Sequence, residues 1–273
     1  MSQSRALQLH ITQMEEIRSI LNSMKNLALI EIHKLGRFQT MQGQAVATIE
    51  QVALDFLSFY PSLPLPDTNV TALAILVGAE RGFCGDFNDS LLKAMQPQTY
   101  AGMIAIGSRL HNRLADSPVH VVATMPGANV AEEVPAVLGH LIEIINNQQQ
   151  SQRALTLTVI HHDAVQNHIV TQQIMPPFVQ AKPVQVQTGN APLLNVEPAL
   201  FFSDLISHYL FAALHEIFYI SLMAENHRRL QHLEAAVKHL DDDVVTLRRK
   251  SQVYRQEEIT EEIEVILLNT ENP

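Results

Sequence analysis

From Ala199 to Asn272 the chain contains neither glycine nor proline, the two residues that most reliably end a helix. Within that run Leu230, Leu233, Val237, Leu240, Val244, Leu247, Ser251 and Tyr254 recur at alternating steps of three and four. Such spacing winds a single seam along a helix, the pattern of a coiled coil rather than of an ordinary amphipathic helix. With a rise of about 1.5 Å per residue, the helix is expected to reach roughly 100 Å, far more than a chain of 273 residues needs to cover its own core. A rod of that kind wants a partner helix, and the candidate is the N-terminus.

The first sixty residues read as one helix or two in tandem. Met14, Ile17, Leu21, Met24 and Ala28 step by three and four, and Leu35 and Phe38 resume the seam after Glu31. Gly36 and Gly43 weaken the helix locally and suggest a bend. The helix is expected to stop in Pro-Ser-Leu-Pro-Leu-Pro-Asp, where Pro61, Pro64 and Pro66 favour an extended linker. Two seam-bearing helices at the two ends can pair while the middle folds separately, which divides the chain into a helix over 1–60, an α/β domain over 68–195 and a helix over 199–273.

In the middle the period changes. Thr71–Val77 is a short apolar run ending in Gly78, a buried strand by pattern. Further strands are expected at Gly102–Ile106, Val119–Ala123, Leu155–Ile160 and His168–Ile174, the last two as a hairpin. Helices are expected at Asn88–Met95, Ser108–Ala115 and Val130–Ile145, and Pro176–Pro198 is expected as loop along the sheet edge. The alternation of strand and helix implies a small open α/β layer with a mostly parallel sheet.

Composition removes several functions. A formal charge of −10 argues against a nucleic-acid sheath, which would need a basic face. The single cysteine, Cys84, excludes an internal disulfide and fits a reducing compartment. The start has no apolar segment behind its one arginine, so no secretory signal is expected. The greasiest stretch, Leu205 to Met223, is interrupted by His208, His215 and Glu216, and a soluble protein is expected.

Chemistry-bearing candidates are few. The turn Val77-Gly78-Ala79-Glu80-Arg81-Gly82-Phe83-Cys84-Gly85-Asp86-Phe87-Asn88 invites a nucleotide, but its spacing is not that of a dinucleotide fingerprint and no Lys-Ser/Thr follows. It is expected to be a tight structural turn in which Gly82 and Gly85 take angles other residues avoid. Cys84 reads as a small buried hydrophobe rather than a nucleophile. His161-His162-Asp163 lies at a strand end with no further ligand at a familiar spacing. His208 with His215, and His232 with His239, read as surface or seam-flanking residues, and Asp241-Asp242-Asp243 as solvated helix. No catalytic site, cofactor site or metal site is expected.

The same residues carry a resemblance. Glu80 to Asn88 (E-R-G-F-C-G-D-F-N) resembles the D-R-G-L-C-G-G-L-N signature of the gamma subunit of F-type ATP synthases. Arg255 to Ile263 (R-Q-E-E-I-T-E-E-I) is similar to that family's R-Q-x-x-I-T-x-E-L, Ala224-Glu225 with Arg229-Leu230 to its S-E-x-x-x-R-M, and Ile17, Ser19, Ile20, Asn22 and Lys25 to its I-x-S-I-x-N-x-x-K. The motifs fall in the right order across the chain. Asp86 replaces a glycine, and Leu27, Leu29 and Ile30 replace the family's Thr-Ala-Met stretch, so the chain resembles a divergent member. It lacks the cysteine pair of the redox-switched chloroplast form.

The resemblance implies an antiparallel coiled coil of the two terminal helices with a Rossmann-like α/β domain between them, acting as the rotor shaft of a proton- or sodium-transporting complex. Its implied partners are the alpha and beta subunits of the catalytic hexamer, the epsilon subunit and the membrane ring of c subunits, with no nucleic acid and no insertion into the bilayer. The ATP sites belong to the hexamer, and the implied location is peripheral, on the cytoplasmic face of a bacterial inner membrane. Partner-contacting candidates are Lys25, the cationic band Arg248, Arg249, Lys250 and Arg255, and then Gln256, Ile259, Thr260 and Ile263; Gly82, Cys84 and Gly85 form the structural turn. Beyond Tyr254, Ile259, Ile263, Ile266 and Leu267 make an apolar stripe with no N-terminal helix left to cover it. A coiled-coil adaptor carrying a Rossmann-like binding module, or an enzymatic Rossmann-like domain with helical arms, fits the same pattern without the motifs.

Overall fold

A computed structural model describes residues 3–61, 63, 71–95, 100–114, 120–151, 155–164, 168–178 and 193–270. The elements are α1 (Gln3–Phe59), β1 (Thr71–Val77), α2 (Phe87–Ala94), β2 (Gly102–Ile106), α3 (Ser108–Leu114), β3 (Val121–Met125), a 3-10 turn at Ala131–Glu133 leading into α4 (Val134–Ser151), β4 (Leu155–His162), β5 (Ile169–Met175) and α5 (Pro198–Thr270). The chain divides into two compact units, one of Met1–Ala28 with Leu230–Pro273 and one of Leu29–Arg229.

In the larger unit the strands form one sheet in the order β3-β2-β1-β4-β5. The first four strands are parallel, and β5 returns antiparallel beside β4. A parallel sheet must be covered on both faces, and here it is. Leu73, Ile75, Val77, Leu157 and Val159 pack with Leu138 and Leu141 of α4, Leu35 of α1, and Leu214, Ile217, Phe218 and Leu222 of α5. The alternate residues Ala74, Leu76, Met103, Ala105 and Ile160 pack with Leu91 of α2 and with Leu110 and Leu114 of α3. An 18-residue window of α5 is apolar enough to cross a membrane by length and composition, but more than half of it is buried within the protein. Its apolar side chains cover the sheet. A smaller aromatic cluster joins the α1 and α5 segments away from the sheet, where the Phe56 ring lies 4.9 Å from that of Phe201 and 6.0 Å from that of Phe202.

In the smaller unit two helix segments run antiparallel: the Ser4 N–H donates to Glu258 Oε1 at 3.3 Å, Arg248 pairs with Glu15, and Arg18 pairs with Asp241 at 2.9 Å. Among the described residues of this unit the buried ones are Ser4, Ile11, Leu21, Ala28, Leu233, Val244 and Ser251.

Several sequence expectations shift. Helix α1 is one unbroken helix rather than two in tandem. Gly43 serves close approach instead: a Cβ there would meet Glu216 Oε1 at 3.0 Å. Ile17 is half exposed, because the buried heptad row is Leu21, Ala28 and Leu35, with half-buried Met14 completing it; Ile17 lies one helical step off that row. Tyr254 is also largely exposed, so the seam's last buried residue is Ser251. Strand β3 starts two residues later than expected and ends at Met125, which is buried. The carbonyl of His120 still pairs with Met103 N–H, but a register irregularity follows before the ladder becomes regular. Helix α4 runs on to Ser151, since no glycine or proline interrupts the polar residues after Ile145. His215 is buried rather than at the surface; its Nδ1–H donates to the Phe211 carbonyl at 2.8 Å. Residues 179–192, most of the expected edge loop, and much of the proline linker lie outside the described residues.

Candidate functional site

Two of the sequence motifs, separated by more than half the chain, meet in the larger unit. The turn after β1 carries backbone groups that neither helix nor sheet satisfies, and such groups are costly when buried without partners. Side chains of α5 satisfy them. Glu225 accepts from the backbone N–H of Glu80 at 3.3 Å and of Arg81 at 3.2 Å. Arg229 donates through Nε to the Gly82 carbonyl at 3.2 Å, through Nη1 to Asn226 Oδ1 at 2.8 Å, and through Nη2 to Cys84 Sγ at 3.4 Å. Glu225 and Arg229, one helical turn apart, also form an ion pair.

These charges are 3% and 5% exposed, a depth at which ionised groups persist only when paired and hydrogen bonded. Burial pushes the Glu225 carboxyl upward, opposed by Arg229 and by the N–H groups of Arg81 and Glu80. The Cys84 thiol is pushed up to about 12, first by burial and then by the Glu225 carboxylate. Its one S–H lies within reach of the carbonyls of Arg81 and Gly82, at 3.4 and 3.3 Å, and it is held as a thiol, the wrong state for a nucleophile.

The backbone of the turn differs from expectation at one residue. Gly85 does take the left-handed conformation, with φ of 59°, but the other such residue is Phe83 at 63°, not Gly82. Gly82 has ordinary room for a Cβ, and what it contributes is its carbonyl. Asp86, in the place of the family's glycine, has φ of −87°, accessible to any residue, and its carboxylate faces Arg228 at 3.4 Å.

Glu80 closes the other side of the turn. Its carboxylate accepts from the N–H and hydroxyl of Ser108 at 2.9 and 2.7 Å and from the Gly127 N–H at 2.7 Å, so it caps α3 and ties the loops after β1, β2 and β3 together. Gly107, at φ of 112°, lets the β2 loop lie against the backbone carbonyls of Gly78 and Ala79. Glu31 of α1 adds a further tie, accepting from the buried Ala131 N–H at 2.6 Å and pairing with Lys34 at 2.8 Å. The roles of Glu31 and Asn226 have no motif to announce them, and the motif that contains Glu80 does not show what it bonds. The signal available was polar residues inside otherwise apolar helical faces, such as Asn226 beside Glu225.

The partner-contacting candidates lie in the other unit. Lys25 is half buried, while Arg249, Lys250, Arg255, Gln256, Ile259, Thr260 and Ile263 are exposed along α5. Arg248 is exposed but engaged with Glu15, and Asp241, expected as solvated surface, is engaged with Arg18. Leu27 and Ile30 of α1 are also exposed, as are Ile259, Ile263, Val265, Ile266 and Leu267 at the far end of α5. Among the described residues no cluster of three or more His, Cys, Asp or Glu could hold a metal ion.

The sequence matches the family model described as ATP synthase over residues 3–269. It is 23% identical over 205 residues to the ATP synthase gamma chain of Clostridium beijerinckii, covering 71% of this chain and 70% of that one. To the ATP synthase gamma chain of Clostridium perfringens it is 20% identical over 272 residues, covering 94% and 93%. The fold superposes on a chain of the Euglena gracilis mitochondrial ATP synthase with a TM-score of 0.66 at 12% identity, covering 98% of this chain and 93% of that one.

Proposed function

Because the chain belongs to the ATP synthase gamma-subunit family, we propose that its three parts, 1–60, 68–195 and 199–273, divide the work of a rotor shaft between them. It is the central-stalk subunit of a rotary ATP synthase. The paired terminal segments stand in the bore of the alpha/beta hexamer, and the α/β unit meets the epsilon subunit and the ring of c subunits. The chain brings no catalytic residues of its own to ATP. It couples the movement of protons or sodium ions to chemistry in the hexamer, from the cytoplasmic face of a bacterial membrane to which it is peripherally bound.

The observation that carries this reading is the exposed apolar stripe at the end of α5. Ile259, Ile263 and Ile266 are 47%, 51% and 62% exposed, beyond Glu258, where Ser4 makes its contact. A helix end this apolar asks for a surrounding surface. A hexamer collar supplies one, and the exposed cations Arg249, Lys250 and Arg255 stand ready for acidic groups around it. Thr260, Gln256 and Lys25 share that interface.

The mechanism is differential contact. An asymmetric helix pair inside a ring of three catalytic sites touches each site differently, and a partner shifts a conformational equilibrium only by its differential affinity for the two states. Rotation presents each site in turn with each face. Torque needs a joint that does not slip, and the Glu225–Arg229 clasp is suited to be one. Its side chains bond α5 to the backbone of the turn after β1, so twisting that segment against the sheet breaks buried, charge-assisted hydrogen bonds to the turn.

The test is a gentle pull-down of the tagged protein from detergent-treated native membranes, with ATP hydrolysis assayed in the eluate. Co-elution of two larger subunits with ATPase activity is expected. A lone, monodisperse protein without ATPase overturns the reading and leaves the coiled-coil adaptor in its place.

A further inference from the structure

The end of β4 holds two adjacent histidines for which the stalk has no evident use. Strand alternation sends them to opposite faces of the sheet, and both are buried, at 3% and 2% exposed. The His162 ring stacks on Phe87 with centroids 3.8 Å apart, and its Nε2 lies 2.8 Å from the Phe87 carbonyl. A carbonyl only accepts, so Nε2 carries a proton. His161 Nδ1 lies 3.1 Å from the His162 carbonyl and carries the proton for the same reason. Its Nε2 is buried with no hydrogen-bond partner among the described residues. Burial disfavours a second proton on either ring, which leaves both neutral and in opposite tautomers.

Phe87 is where this matters. It is the first residue of α2, directly after the turn held by Glu225 and Arg229, and it is fully buried with Ala79, Cys84 and Ala224. His162 thus ties the same turn to the end of β4. We propose that His161 and His162 form an acid-sensitive latch on this turn, closed while both imidazoles are neutral and released as they take protons.

The surroundings favour the neutral rings. Burial pushes both histidines below their ordinary value; the charges facing His161 are Asp163, His162 and His168, and those facing His162 are Arg228 and Asp86. Asp163 and Asp86 favour the protonated rings, whereas Arg228 and the neighbouring histidines oppose them. A proton on His161 Nε2 would have no acceptor among the described residues. The sign follows from linkage: a histidine with a depressed closed-state value contributes stability in full above about pH 6.5, and loses it as the pH falls towards that depressed value. If an opened ring titrates at about 6.5 and a closed one stays neutral, the open fraction rises about tenfold per histidine between pH 7.5 and 5.5. In the central-stalk reading, on which this consequence rests, acid loosens the joint through which torque passes and so weakens coupling.

Hydrogen exchange of the full-length chain tests the latch, with rates corrected for the chemical effect of pH and β2 as the internal reference. Residues 80–88 of the wild type are expected to open about a hundredfold more at pH 5.5 than at 7.5, and His161→Asn and His162→Gln about tenfold, with the double variant flat. Asn keeps a donor near Nδ1 and Gln one near Nε2, so each retains its native bond. A flat wild type, or a double variant that still opens with acid, overturns the latch. Should the double variant not fold, the nitrogen spectra of the wild-type imidazoles decide. Two neutral rings with the named tautomers, titrating well below 6.5, support the latch; either ring titrating at or above 6.5 overturns it. Because exchange needs no partner subunit, this result and the stalk reading can fail separately.

Discussion

The terminal helix pair and the α/β unit solve the same problem in opposite ways. In the α/β unit, helices cover both faces of a five-stranded sheet, and even the charges of the Glu225–Arg229 clasp are buried and bonded. In the terminal pair the buried positions include Ser4, Ala28 and Ser251, small or polar residues that contribute little burial, and large apolar residues lie outside. Near its far end the groove between the helices is lined by Gln8, Thr12, Glu15, Arg248 and Gln252 around Ile11. The larger unit builds a deep core around its sheet, and the terminal pair buries a thin row of side chains.

That contrast breaks first at the clasp. Arg229→Met leaves Glu225 buried without its countercharge, and removal of one partner from a buried pair costs about 3–5 kcal/mol. Thermal unfolding of the full chain should show that loss. The double change Glu225→Leu with Arg229→Met should be milder, because no orphaned charge remains, although the turn N–H groups lose their acceptor. Next comes the helix pair. Leu240→Pro removes a helical hydrogen bond and clashes with the preceding turn, at about 3 kcal/mol or more. It should raise exchange in 230–260 and uncouple ATP hydrolysis from rotation while the sheet strands stay protected. Equal exposure of both units would dissolve the distinction between them.

How much of this was legible follows from what each signal depends on. Strands β1 and β2 were readable to the residue, because a fully buried strand shows as an unbroken apolar run between glycines or turns. Strand β3 was displaced because Val119 makes the apolar pattern begin two residues before the strand does. The α5 seam was legible through its sevenfold repeat, whereas Ile17 misled because an isoleucine next to a seam looks like one within it until the partner's position is known. The glycine turn and the Glu225/Arg229 motif were both visible. Their bonding was not, since no local pattern records that two segments so far apart in sequence touch. Phe83 in a left-handed conformation was invisible for a related reason: residue type argued for glycine, and the surrounding bonds decided otherwise.

Smaller effects sharpen the comparison. Arg248→Ala removes an exposed pair with Glu15, and such pairs are worth about 0–1 kcal/mol, less in salt. The melting curve should hardly move. Any effect on ATP hydrolysis in the assembled complex then belongs to the cationic band rather than to the fold.

The least change in stability is expected at Ile263→Ser. The residue is half exposed and has no α1 segment beside it, so the isolated chain should lose no more than about 0.5 kcal/mol, the usual range for surface positions. If the stripe is a surface awaiting a collar, the same substitution should weaken recovery of the two larger subunits in the pull-down and lower the ATPase activity of the eluate. Adding Ile259→Ser and Ile266→Ser should deepen both losses while the melting curve stays put. A triple variant that assembles and turns over normally would mean that the apolar tip carries no part of the interface, and that the terminal pair works through its cations or its shape alone.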